Sequence, residues 1–149
     1  MNDVLEKPTI LVVDDSPDNL SLMSGLLKDL YKLKVANNGD KAIKIAQGDK
    51  KPDLILLDVM MPGLSGYEVC ELLKGDPTTR DIPIIFLTAM TGADDEKKGL
   101  ELGGADYITK PVSPPIVLAR VKTQLQNKAA ADFLRDQNAY LEKEVSERT

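Results

Sequence analysis

The chain reads as an α/β protein built on a (βα)5 parallel sheet. Three observations predict this. Short, wholly apolar runs recur at Ile10-Leu11-Val12-Val13, Leu54-Ile55-Leu56-Leu57 and Ile84-Ile85-Phe86-Leu87. Runs of that length without alternation mark parallel strands covered on both faces. Helical patterns separate them, the alternation of a doubly wound sheet. Each run also ends in a carboxylate, a hydroxyl or an ammonium: Asp14-Asp15, Asp58, Thr88 and, after the weaker run Tyr107-Ile108-Thr109, Lys110-Pro111. Parallel strands place their carboxyl ends at one edge, which is where open α/β sheets bind ligands.

Each element has its local reason. The first strand, residues 10–13, leads into Ser16-Pro17, an N-cap followed by a first-turn proline. Leu20, Met23, Leu26, Leu27 and Leu30 then form a helical apolar stripe. A weaker strand follows at 33–36. Asn38-Gly39-Asp40 precedes a helix with Ala42, Ile43, Ile45 and Ala46 on its apolar face. The third strand, 54–57, is the most continuous, hence central. Gly66 opens a helix with Val69, Leu72 and Leu73 inward, and the fourth strand occupies 84–87. A helix over 93–102 stops at Gly103-Gly104. The fifth strand is 106–109, and Ser113-Pro114-Pro115 opens a last helix at Ile116. Right-handed crossovers put helices on both faces.

Composition narrows the function. Of 149 residues, 42% are hydrophobic, enough for a real core, and 19 Lys and Arg against 24 Asp and Glu give a net charge of −5. An acidic chain is a poor generic nucleic-acid binder. No stretch is long enough to span a bilayer, and Met1 to Lys7 lacks an apolar signal core, so a cytoplasmic protein is expected. The chain has no histidine, which excludes His-ligated metals, His-base hydrolysis and phosphohistidine chemistry within it. Cys70 is the sole cysteine, reads as a buried helical thiol, and rules out an internal disulfide.

The last helix outruns the domain. No Gly or Pro follows Pro115. At ~1.5 Å per residue the helix reaches on the order of 50 Å, while a compact domain of this size has a radius of gyration of about 14 Å. Ala131, Leu134, Asn138, Leu141 and Val145 fit alternating a and d positions, with Asn138 at an a position fixing register. A homodimer through this helix is the expectation, against a solvated charged helix end.

Asp14, Asp15 and Asp58 pose an electrostatic problem. Two charges ~5 Å apart repel by about 3 kcal/mol at an effective dielectric of 20. Three need a cation among them, and oxygen ligands without His or Cys favour Mg²⁺. Asp58, at the end of the central run, is the best nucleophile and could take a phosphoryl group as an aspartyl phosphate. The Thr88 hydroxyl and the Lys110 ammonium would then hold phosphoryl oxygens.

These residues carry a resemblance. Asp14-Asp15, Asp58-Val59-Met60-Met61-Pro62-Gly63-Leu64-Ser65-Gly66, Leu87-Thr88-Ala89 and Tyr107-Ile108-Thr109-Lys110-Pro111 are similar to the receiver domain of bacterial two-component response regulators, over about residues 9–126. The resemblance implies a flavodoxin-like fold with strand order 2-1-3-4-5. It implies phosphorylation of Asp58 by a histidine kinase or phosphotransfer protein. Mg²⁺ would be held by Asp15, Asp58 and the backbone carbonyl of Met60, with Asp14 acting directly or through water. Thr88 and Tyr107 would be the switch pair, Lys110 would bind the phosphoryl group, and Lys110-Pro111 would be cis. The switch has a physical basis: Thr88 moves toward the phosphate and vacates volume, and the Tyr107 ring rotates inward.

The domain boundary is expected near residue 126, with 127–149 a helical linker toward a missing output domain. The linker resembles those before cyclic-di-GMP phosphodiesterases of the HD-GYP type or diguanylate cyclases. The chain itself is expected to be a regulatory receiver and no enzyme, and a stand-alone receiver acting by protein contacts is the rival. A haloacid-dehalogenase-like phosphatase would use Asp14 as nucleophile and needs a second Asp two positions on, but position 16 is serine.

Overall fold

In the computed structural model the described residues are 7–89 and 93–148, with side chains described for all of them but 93–96 and 136–148. Five strands alternate with five helices: β1 (Thr9–Val13), α1 (Pro17–Leu27), β2 (Lys32–Ala36), α2 (Gly39–Gln47), β3 (Leu54–Asp58), α3 (Gly66–Lys74), β4 (Ile84–Thr88), α4 (Ala93–Glu101), β5 (Asp106–Thr109) and α5 (Pro114–Arg148). All strand pairs are parallel, in the order β2-β1-β3-β4-β5. The flavodoxin-like (βα)5 expectation holds.

Strand pleat sorts the core into two halves. Leu11, Val13, Ile55, Leu57, Ile84, Phe86 and Tyr107 face one way and pack with Ala42 and Ala46 of α2 and Val69, Cys70 and Leu73 of α3. Ile10, Val12, Leu54, Leu56, Ile85, Leu87 and Ile108 face the other way, onto Met23 and Leu27 of α1 and Val117 and Val121 of α5. Both faces are covered, which is why the central runs show no polar alternation. β2, an edge strand, is fully buried only at Ala36. Its lysines, Lys32 and Lys34, are of the kind that discourage pairing with another chain.

Helix starts follow their caps. The Ser16 side chain accepts from Asn19 N at the start of α1, and Pro17 fills the first helical position. Asn38 caps α2 through Lys41 N. Ser65 and Glu68 form a reciprocal capping box on α3. α5 is one helix of 35 residues, starting two residues earlier than the sequence suggests. Beyond its core contacts at Val117 and Val121, Arg135 pairs with Asp81, in the loop before β4, at 3.2 Å. The seam positions Asn138, Leu141 and Val145 have side chains outside the described residues. Among the described residues, no helix is long and apolar enough to cross a membrane.

Candidate functional site

Strand register builds the site. Asp58 ends β3 beside Leu87 of β4, and Thr88 pairs with Thr109 of β5. Val59 N donates to Leu87 O at 3.1 Å, Lys110 N to Thr88 O at 2.8 Å and Asp14 N to Ala36 O at 3.2 Å. These bonds carry the ladder one residue past the strands, so the loops leave the sheet at one edge in fixed directions. After Asp58 the chain crosses a loop with Gly63 at φ 76° and enters α3 at Gly66, whose N–H donates to Val59 O at 2.9 Å.

Three carboxylates meet there. Asp14, Asp15 and Asp58 each offer an oxygen, all within 4.8 Å of one another, with Asp14 and Asp58 buried and Asp15 exposed. Asp14 is held by its own turn: Oδ1 accepts from Ser16 N at 3.0 Å and Oδ2 from Asn19 Nδ2 at 3.1 Å. The Lys110 ammonium reaches in from β5 and bridges Asp14 Oδ2 at 3.0 Å and Asp58 Oδ1 at 3.1 Å. The Lys110-Pro111 peptide is cis, as expected.

Burial dominates the electrostatics of Asp58. It pushes the carboxyl up to about 6 against the opposing hydrogen bond from Lys110, and the Asp14 and Asp15 charges push the same way. At neutral pH Asp58 is still mostly a carboxylate. Lys110 shows the converse. Burial alone would lower its pKa, but hydrogen bonds to Asp14 and Asp58 and the attraction of both carboxylates raise it. A divalent hard cation fits this donor set. The ligands are oxygens only, and three carboxylates against one ammonium leave two negative charges unbalanced.

The remaining predicted residues lie around this cluster. Thr88 is fully buried at the end of β4. Met60, two residues past Asp58, is 62% exposed. Tyr107 is not among the carboxylates. Its ring points into the α2–α3 half of the core, beside Phe86. A cleft of about 420 Å³ opens next to the cluster, with Asp14, Asn19 and Lys110 toward the site and Leu22, Met23 and Val112 on its apolar side. The sequence reading did not single out Asn19. Its signal was there, in the first turn of a helix that starts directly beneath Asp14.

Residues 10–122 match the family model described as the response regulator receiver domain. The chain belongs to this family. The receiver is 49% identical over 145 residues to a Vibrio cholerae protein named "Probable cyclic di-GMP phosphodiesterase", covering 97% of this chain and 33% of that one. It is 44% identical over 131 residues to the response regulator PleD of Caulobacter vibrioides, covering 87% and 29%. The chain thus spans about a third of the length of these relatives. The receiver domain of a Syntrophus aciditrophicus signal transduction histidine kinase superposes with a TM-score of 0.74 at 36% identity, covering 80% of this chain and 91% of that one. The receiver is a regulatory module of two-component signalling. Membership argues against the haloacid-dehalogenase-like alternative, as does the place of Asp14, buried and engaged by Ser16 N, Asn19 and Lys110.

Proposed function

We propose that this receiver takes a phosphoryl group on Asp58 from the phosphohistidine of a kinase or phosphotransfer protein. The observation that carries this is the carboxylate cluster at the end of the central strand, with Lys110 bridging Asp58 to Asp14. An Asp58 oxygen forms the new O–P bond of an aspartyl phosphate. The N–P bond of the donor breaks, and its imidazole leaves with the electron pair. Lys110 turns from its two carboxylates to a phosphoryl oxygen, and the Thr88 hydroxyl takes another. Asp15, Asp58 and the Met60 carbonyl would hold Mg²⁺, with Asp14 direct or through water. The ion would neutralise charge on the transferring group. The apolar side of the neighbouring cleft, with Leu22 exposed, suits a helix presenting the donor histidine.

In this reading Thr88 and Tyr107 report the phosphoryl group, and residues 127–149 carry the state to a covalently linked output domain. That output would break or make cyclic di-GMP, as a phosphodiesterase of the HD-GYP type or a diguanylate cyclase in the cytoplasm, and the Vibrio cholerae relative named "Probable cyclic di-GMP phosphodiesterase" supports the first of these. A receiver acting alone through protein contacts is the second reading. Mass spectrometry after treatment with a small acyl phosphate tests the transfer. One phosphoryl adduct is expected on the wild type with Mg²⁺, and none without the cation or on Asp58→Asn. An adduct retained on Asp58→Asn at the wild-type level overturns the assignment.

A further inference from the structure

The Asp14 side chain is only 2% exposed, and a buried carboxylate needs donors for its oxygens. Three meet it. Ser16 N donates to Oδ1 at 3.0 Å, Asn19 Nδ2 to Oδ2 at 3.1 Å and Lys110 Nζ to the same Oδ2 at 3.0 Å. The first two come from the turn that opens α1, within five residues of Asp14 itself. The third comes from the end of β5, 96 residues away.

Asn19 does two things from one position. Its backbone N–H donates to the Ser16 hydroxyl at 3.4 Å, which helps to start α1. Held there, its side chain reaches Asp14. The carboxylate oxygen can only accept, so the amide presents its nitrogen. An amide is also neutral. A lysine or arginine in its place would satisfy the same oxygen but cancel charge that a divalent cation needs, and an aspartate would add another repelling carboxylate. Asparagine fixes the carboxylate and leaves three negative groups against one ammonium.

Lys110 is the less constant partner. It divides itself between Asp14 Oδ2 at 3.0 Å and Asp58 Oδ1 at 3.1 Å. In the transfer reading it turns from both to a phosphoryl oxygen. A buried oxygen that loses its donor is costly to leave unsatisfied. Asn19 stays on that oxygen when the ammonium leaves.

We propose that Asn19 is a positioning residue for the cation site: its amide holds Asp14 in the orientation that brings the three carboxylates together, independently of Lys110. The inference rests on the reading of the cluster as a Mg²⁺ site, and it holds whether Asp14 meets the ion directly or through water. Groups that hydrogen-bond a ligating carboxylate typically change metal affinity by about 10- to 100-fold. Asn19 is half-buried, so water replaces part of what it gives, and the lower end of that range applies.

The test titrates the full chain with Mn²⁺, a hard divalent ion whose unbound form is measured by electron paramagnetic resonance, with no phosphoryl donor present. The wild type is expected to take up Mn²⁺ and to release it to excess Mg²⁺. Asn19→Ala should bind it about tenfold more weakly. Asn19→Leu, which restores the volume but not the donor, should be equally weak. In an Asp14→Ala background the change Asn19→Ala should cost less than about twofold, because the amide then has no carboxylate to hold. Wild-type affinity in Asn19→Ala overturns the proposal. Recovery in Asn19→Leu overturns it too, since the role would then be packing. So does an undiminished loss in the Asp14→Ala background, since α1 itself would then be disturbed. A wild type that takes up no Mn²⁺ defeats the cation reading itself, and the proposal falls with it.

Discussion

Asp58 sits where two demands conflict: burial favours its neutral form, and nucleophilic chemistry requires its anion. Lys110 resolves the conflict only in part, because it serves Asp14 as well. The cluster should therefore bind Mg²⁺ weakly in the unphosphorylated state, and either Asp15→Asn or Asp58→Asn should reduce that affinity about tenfold or more, since each removes one of three ligating charges. Isothermal titration with Mg²⁺ checks this, and unchanged binding in both variants places the ion elsewhere. Cys70 offers a test of burial away from the site. Burial pushes its thiol up to about 11 from 9.0; Lys74 opposes this and Glu71 adds to it. The protonated native thiol stabilises the fold below pH 9. As pH rises toward 11 the unfolded chain ionises first, so that stability is lost. The wild type should lose up to roughly 2–3 kcal/mol relative to Cys70→Ala across this window. Urea unfolding at pH 8 and at the alkaline end measures it, and parallel pH profiles would show that the thiol ionises as easily folded as unfolded. At this scale the sequence was informative wherever chemistry follows from strand position, as for Asp14, Asp15, Asp58 and Lys110. It was silent on the double engagement of Lys110 and on the Tyr67–Tyr107 hydroxyl contact. Those depend on rotamers and on helices that pack from distant parts of the chain.

The start of α3 shows how an element fixes a site. Gly66 packs against the backbone of β3's end, where a Cβ would press on the Asp58 carbonyl oxygen and come within 2.8 Å of Val59 Cα. Both neighbours are main chain, so neither can yield cheaply. Gly66→Ala should destabilise the fold by about 1–3 kcal/mol and also slow phosphoryl uptake, because the strain falls on the residue that carries the nucleophile. A lower urea midpoint at unchanged slope is the expected signature, and a wild-type midpoint would mean that α3 shifts freely. Ser65→Ala should cost less, about 1 kcal/mol, and leave the site in place, since it removes a cap rather than adding a clash. The three central runs, β1, β3 and β4, were legible because burial on both faces writes an unbroken apolar signature into the sequence. The capping box Ser65-Gly66-Tyr67-Glu68 was equally legible and went unread, hidden among residues that the loop motif already explained. β2 extends one residue further than its apolar content indicates, to Lys32, because pairing with Thr9 rather than burial defines its end.

On the scale of the molecule, α5 belongs to two bodies. Val117 and Val121 are buried in the sheet's α1–α5 half, which ties the first three turns to the receiver. Farther along, Lys128 pairs with Asp132 at 2.7 Å, and Arg135 joins Asp132 at 2.6 Å and Asp81 at 3.2 Å. The pairs at Asp132 lie within the helix, and only the exposed Arg135–Asp81 pair, weak by itself, reaches the receiver. Phe133 and Leu134 are each 61% exposed, and Ala131 is exposed too, so two of the five predicted seam positions present apolar surface with nothing from the receiver covering it. A second chain aligned in parallel would cover them, with Leu134 and Leu141 at d positions around Asn138. A seam of fewer than three heptads is marginal by itself. The full chain should accordingly be a weak dimer, its sedimentation coefficient rising with concentration, while a chain ending at Gln126 stays monomeric over the same range. Leu134→Ser in the full chain should behave like the truncation without removing the ion pairs at Asp81, which separates the seam from the anchor. Binding of beryllofluoride, a phosphoryl mimic, should tighten the dimer if phosphorylation acts by setting the register of the helix pair. If full chain and truncation are both monomers at high concentration, with and without the mimic, the paired-helix route to an output domain is wrong, and the exposed Phe133 and Leu134 must meet some other surface.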